Sequence, residues 1–188
     1  MPFEVKDKDL GGRIGKLTTK SGVIETPAFF PVVNPLRQWK EVPIDQLKSM
    51  GFNQLITNAY IIKKSLDNKV IDVHNFLGFN GIIMTDSGAY QLLRYGMGKV
   101  QIDPIDIVKY QELISTDIGV IADIPTRDDA LYSEALYSVR ETLRRAEITL
   151  ELIRDSPTLW VLPIQGGVYL DLVEFCAKKG RELPYYSI

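Results

Sequence analysis

The 188-residue chain is 45% apolar and 24% charged, with a formal net charge of −2. That is the balance of a globular protein, not of a disordered chain or a strongly basic nucleic-acid binder. Its one cysteine, Cys176, excludes an internal disulfide framework or a cysteine-rich zinc site within these residues. No apolar run approaches the ~20 residues of a membrane span, and the start MPFEVKDKDLGG lacks the order of a secretory leader. A soluble cytoplasmic protein with no membrane partner is expected.

In chain order, Gly15–Thr19 and Val23–Thr26 flank Lys20-Ser21-Gly22 as a β-hairpin. Ala28–Val33 reads as a first buried strand, and Pro43–Met50 as a short helix that Gly51 stops. Leu55–Asn58 and Ile82–Thr85 are the second and third strands. Asp103-Pro104 starts a helix to about Ser115, because an aspartate caps free N–H groups and proline suits the first helical position. Ile118–Ile124 is the fourth strand. A long helix follows, capped by Asp128 or Asp129 and ended by Pro157. Its Leu136, Val139, Leu143, Ala146, Leu150 and Ile153 form one apolar stripe. Leu159–Ile164 is the fifth strand, Leu170–Lys179 a helix, and Tyr185–Ile188 the opening of a sixth strand.

Strands alternating with helices predict a parallel α/β sheet. Asn58, Asp86, Asp123 and Gln165 each fall at or just beyond the C-terminal end of a strand. In an α/β barrel that rim builds the active site, since parallel strands deliver their ends to one face. A single polar residue there is ordinarily a cap or turn former; four of them suggest a polar pocket. An open doubly wound sheet gives similar alternation but announces a nucleotide by a glycine-rich turn after its first strand. Here Val33 is followed by Asn-Pro-Leu-Arg-Gln-Trp, with no glycine.

The stretches RIGKLTTKSGVIETPAFFPVVNP, LITNAY, GIIMTDSGAYQLLRYG, TDIGVIADIPT and LPIQGG resemble, in order and spacing, tRNA-guanine transglycosylases, most closely the archaeosine-type archaeal ones. The resemblance covers essentially the whole chain and implies a (β/α)8 TIM barrel, here incomplete: about five strands and the start of a sixth, behind an N-terminal hairpin. It implies exchange of a D-arm guanine in tRNA for 7-cyano-7-deazaguanine, so the expected partners are tRNA and a guanine or 7-deazaguanine base. Carried over residue by residue, it makes Asp86 the catalytic acid/base residue. Ser87 orients the base or ribose, Tyr90 stacks on the base, Asp123 reads it, and Gln165 bonds its carbonyl, with Gly166 of QGG beside it.

Those roles suit the chemistry. Guanine presents a ring N–H beside an exocyclic amine, and one carboxylate accepts both, while an amide donates to the neighbouring carbonyl. Adenine would leave buried groups unpaired. Aromatic stacking contributes ~1–3 kcal/mol, and the target base must leave its stack to be reached. The exchange resembles retaining glycoside transfer through a covalent ribosyl enzyme.

The resemblance also marks what these residues do not contain. The family's nucleophilic aspartate lies late in the barrel, and its zinc site of three cysteines and a histidine follows, ahead of C-terminal RNA-binding domains. No metal ligand and no cofactor is therefore expected within these residues, which are read as the N-terminal portion of the catalytic barrel. Three readings stay open: half of a split enzyme completed by another chain or by self-association, a shortened non-catalytic relative that binds RNA or a partner, or a fragment of a longer product. Elsewhere, His74 is read as a surface or loop residue and Cys176 as buried packing. Arg140, Arg144 and Arg145 are read as a solvated helix face, Trp39 and Trp160 as packing residues, and Lys6 to Lys20 as scattered surface lysines.

Overall fold

The computed structural model describes residues 2–36, 42–91 and 101–187; Trp39, the LLRYG stretch and Ile188 lie outside the described residues. The N-terminal hairpin supplies two strands of a three-stranded antiparallel sheet. β1 (Phe3–Asp9) pairs with β2 (Gly12–Thr19), which pairs with β3 (Gly22–Thr26). β1 escapes the sequence reading because its alternating charges leave nearly every residue exposed, so no buried face marks it.

Five parallel strands follow in sequential order: β4 (Gln54–Asn58), β5 (Ile82–Asp86), β6 (Ile118–Val120), β7 (Leu159–Leu162) and β8 (Tyr186–Ser187). The fold is mixed α/β, with five of the six described helices between these parallel strands and one ahead of β4. The six are α1 (Ile44–Ser49), α2 (Ala59–Ser65), α3 (Val73–Leu77), α4 (Pro104–Leu113), α5 (Tyr132–Ile153) and α6 (Leu170–Gly180).

The parallel sheet is buried on both faces, as parallel sheets require. Ile83 and Leu55 pack under α2, α3 and α4 with Ile62, Val73 and Ile107. Trp160 and Leu162 meet the stripe of α5 and Cys176 of α6. On the opposite face Ile82, Met84, Ile118, Val120 and Val161 pack with Ile24 of β3, so the antiparallel sheet covers that face. The alternation of Ile82, Ile83 and Met84 between the two faces follows from the two-residue period of a strand.

Several expectations are corrected. Ala28–Val33 forms only a single parallel bridge, Val32 to Ile56, and Phe29 and Val32 are exposed. The Gln54 side chain takes the Phe29 carbonyl at 2.8 Å, and Pro31 has no N–H to offer a ladder. β6 stops at Val120, well short of Ile124. There the amide of Gln111, on α4, donates to Val120 O at 3.0 Å and accepts from Val120 N at 3.2 Å. A side chain thus replaces the neighbouring strand, and β5 and β6 part beyond their two paired positions.

Neither Asp128 nor Asp129 caps α5. Asp129 is paired with Arg127, and the Glu134 carboxylate accepts from Leu131 N at 2.8 Å, at the start of the helix. His74 is not a free surface residue. It sits on α3 with Nε2 3.2 Å from Oδ2 of the fully buried Asp117 and Nδ1 3.1 Å from Phe79 O.

Candidate functional site

The DSGAYQ turn closes β5. Two residues beyond Met84, Asp86 falls on the same sheet face as Met84, in register with Asn58 at the end of β4. The Asn58 side chain has its orientation set from outside the site: Oδ1 accepts Ile61 N at 2.9 Å as the cap of α2. Its Nδ2 therefore faces Asp86 and donates to Oδ2 at 2.9 Å. Gly88 N donates to the same oxygen at 3.1 Å. Gly88 must be glycine, since its φ is +88° and a Cβ would stand 2.4 Å from Cβ of Tyr60. Burial pushes the Asp86 carboxyl above its ordinary range, against the backbone N–H groups of Gly88 and Ser87.

Ser87 is fully buried, and its hydroxyl has no hydrogen-bond partner among the described residues. An unsatisfied buried hydroxyl costs about 1–3 kcal/mol. Tyr90 is 60% exposed, its ring available to solvent and ligand.

Asp123 and Gln165 lie three residues beyond β6 and β7, and the structure joins them. Gln165 Nε2 donates to Asp123 Oδ2 at 2.6 Å, and Gln165 Oε1 accepts from Thr126 N at 3.0 Å and from Thr126 Oγ1 at 3.1 Å. The backbone beneath Asp123 is tied to α5. Arg145 Nη1 donates to Asp123 O at 3.1 Å and Ala122 O at 3.3 Å, and Ile124 N donates to Thr142 Oγ1 at 2.9 Å.

Arg145 is thus not part of a solvated face, whereas Arg144, paired with Glu141, is exposed. Gly166 and Gly167 have φ of +143° and +57°. A Cβ at Gly166 would meet Val173 N at 2.6 Å, so the backbone there packs against the start of α6.

Asp123 is only 7% exposed. Burial and then the charge of Asp86 raise its carboxyl to about 6, with Arg145 and the Gln165 amide opposing them. The rim thus holds two acids with raised proton affinity, one of them near neutrality, and an amide with one N–H free. That set can take two in-line donors on a carboxylate and one acceptor on an amide. Among the described residues no group of three His, Cys, Asp or Glu side chains is placed to hold a metal ion, and Cys176 and His74 are both engaged elsewhere. Nor is any described helix long and apolar enough to cross a membrane.

The profile of the queuine tRNA-ribosyltransferase family matches residues 7–188. The chain belongs to that family. It is 48% identical to the tRNA-guanine(15) transglycosylase of Aeropyrum pernix over 188 residues, which cover 99% of this chain and 36% of that relative. It is 49% identical over 179 residues to the enzyme of that name in Sulfolobus acidocaldarius, covering 94% of this chain and 35% of the relative. The Saccharolobus solfataricus protein is 51% identical over 180 residues, with the same two shares, 94% and 35%. The chain spans about a third of the length of these relatives.

In this queuine tRNA-ribosyltransferase family chain, every rim residue singled out from the sequence lies at or near a strand end. The structure pairs Asn58 with Asp86 and Gln165 with Asp123. Thr126, Thr142 and Gln111 are not among the site residues that the sequence singles out, and Arg145 reads there as solvated. Thr126 stands inside the DIPT motif and carried a signal. The other three lie on helices, where only the packing reveals which backbone groups they reach.

Proposed function

We propose that this chain is the base-reading portion of a tRNA-guanine transglycosylase, built as part of a (β/α)8 barrel and exchanging a D-arm guanine for 7-cyano-7-deazaguanine. The observation that carries the reading is the Asp123–Gln165 pair beside Asp86 at the C-terminal strand ends. Ionised Asp123 accepts the ring N–H and exocyclic amine of the base, and the second N–H of Gln165 Nε2 donates to its carbonyl. Tyr90 stacks on the ring. Ser87 supplies its idle hydroxyl to the base or its ribose, and Gly166 lets the backbone approach.

In the exchange a carboxylate attacks the anomeric carbon, the glycosidic bond breaks, and the ribose is held as an ester of the enzyme. Asp86, its proton affinity raised by burial, gives a proton to the departing guanine and takes one from the incoming base. The incoming ring nitrogen then attacks the same carbon and releases the ester. We assign the attacking carboxylate, and the family's zinc site, to polypeptide that completes the barrel, with tRNA bound across both parts.

The test is incorporation of labelled guanine into archaeal tRNA by this chain, alone and with a polypeptide carrying the rest of the barrel. Exchange only in combination is expected, because members of a catalytic set act as a unit. Exchange by the chain alone would place the nucleophile among these residues. Binding of tRNA without exchange in any combination would make it a binding subunit instead.

A further inference from the structure

A glutamine amide is nearly symmetric in shape but not in chemistry, because rotating it by half a turn puts an acceptor where a donor was. Gln165 is denied that rotation. A backbone N–H can only donate, so the Gln165 atom facing Thr126 N at 3.0 Å is the oxygen, and Thr126 Oγ1 adds a second donor at 3.1 Å. Rotation would set the NH2 group against the Thr126 N–H and turn the oxygen toward the Asp123 carboxylate. Donor would face donor, and acceptor would face acceptor.

The Thr126 methyl has a separate task. Cγ2 lies where a Cβ on Gly167 would come within 2.8 Å, so it packs directly under the Gly166–Gly167 turn.

We propose that Thr126, through the hydroxyl it adds to its backbone N–H, is the positioning residue that sets which base edge this site accepts, holding Gln165 so that a carbonyl is received and an exocyclic amine at the same place is refused. The inference rests on the guanine reading above. It assigns Thr126 no contact with the base; the residue acts through Gln165. The hydroxyl and methyl roles are separable, because Thr126→Ser keeps the donor and Thr126→Val keeps the methyl.

Two measurements test it. First, guanine and 6-thioguanine are titrated into the wild-type chain and both variants. These bases share the N–H and amine that Asp123 reads and differ at the acceptor that Gln165 reads. Wild type and Thr126→Ser are expected to prefer guanine, and Thr126→Val to lose about fivefold of that preference, the worth of one hydrogen bond. An unchanged preference in Thr126→Val overturns the proposal.

Second, the Gln165 side-chain amide is followed by 15N NMR without any base. A rigid side-chain amide, read as a high 15N order parameter, is expected in wild type and Thr126→Ser, and a lower order parameter with faster exchange of its protons with solvent in Thr126→Val. Should the wild type bind neither base, the guanine reading fails and this spectrum alone decides the positioning role. An unchanged Gln165 amide in Thr126→Val then overturns it, and a mobilised one upholds it.

Discussion

The side chains of Asp123 and Gln165, contributed from the ends of adjacent strands, meet at 2.6 Å with no ligand between them. The carboxylate so held is buried, and its proton affinity follows from that burial.

The folded chain keeps the Asp123 proton up to about 6, against an ordinary value of 3.8. Between those values the native state binds more protons than the unfolded one, so this group makes stability fall as pH rises, by about 1–3 kcal/mol in all. Asp123→Asn carries no charge to bury. It is expected to exceed wild type in stability at about pH 8 and to lose that advantage by about pH 4, as read by urea denaturation. Guanine affinity should climb as pH rises through about 6, and the variant should bind guanine weakly and no better than adenine. Equal urea midpoints at alkaline pH would contradict the first expectation, and unchanged guanine affinity the second.

His74 gives a slope of the same sign as Asp123 but at higher pH, and Asp117 one of the opposite sign in acid. When protonated, His74 donates to both Phe79 O and Asp117, and the bond to Asp117 raises its proton affinity above 6.5 despite burial. That stabilisation is complete below 6.5 and lost as pH rises through the raised value. For Asp117, burial pushes upward, but bonds from His74, Ile83 N and Ser21 together outweigh it and hold the carboxyl below 3.8. His74→Phe is expected to cost about 1–3 kcal/mol at mildly acidic pH and to abolish the loss of stability as pH rises above 6.5. Thermal melts across that range are the check, and a slope that survives the substitution would refute it.

Arg145 and Arg144 share Glu141 but differ in what else they hold. The Arg144 and Arg145 guanidinium groups keep the Glu141 carboxyl down at about 2, against partial burial. Arg145 also ties down the carbonyls of Ala122 and Asp123. Arg145→Met should destabilise by about 1–3 kcal/mol and speed amide exchange around Asp123, while Arg144→Met should cost under about 0.5 kcal/mol. Equal effects of the two would show that the carbonyl contacts carry no weight.

Asn58→Asp separates the two ends of one amide. The cap of α2 survives, since an oxygen still faces Ile61 N, but the donor to Asp86 becomes a second carboxylate. Stability should then fall as pH rises from acid to neutral, because like charges cannot both ionise cheaply. Asn58→Ala should lose the cap, about 1 kcal/mol, without that slope. Circular-dichroism melts at acid and neutral pH distinguish them; parallel pH profiles would argue against the Asn58–Asp86 contact.

Local signals were enough for much of this protein. Short apolar runs, the apolar stripe of the long helix, Asp103-Pro104 and the helix stop at Gly51 announce the α/β alternation and the polar strand ends, because each depends on neighbours a few residues apart. The motifs around Asp86, Asp123 and Gln165 mark the rim by themselves. Distant contacts decided the rest. β6 ends early because Gln111, on the preceding helix, occupies the backbone of Val120. Arg145 looks solvated on its helix yet reaches carbonyls 22 and 23 residues earlier in the chain. His74 becomes a buried partner only once α3 is laid beside Asp117, 43 positions away by their numbers. A hydrogen bond across such a gap has no sequence period to betray it; only tertiary packing chooses which polar groups share it.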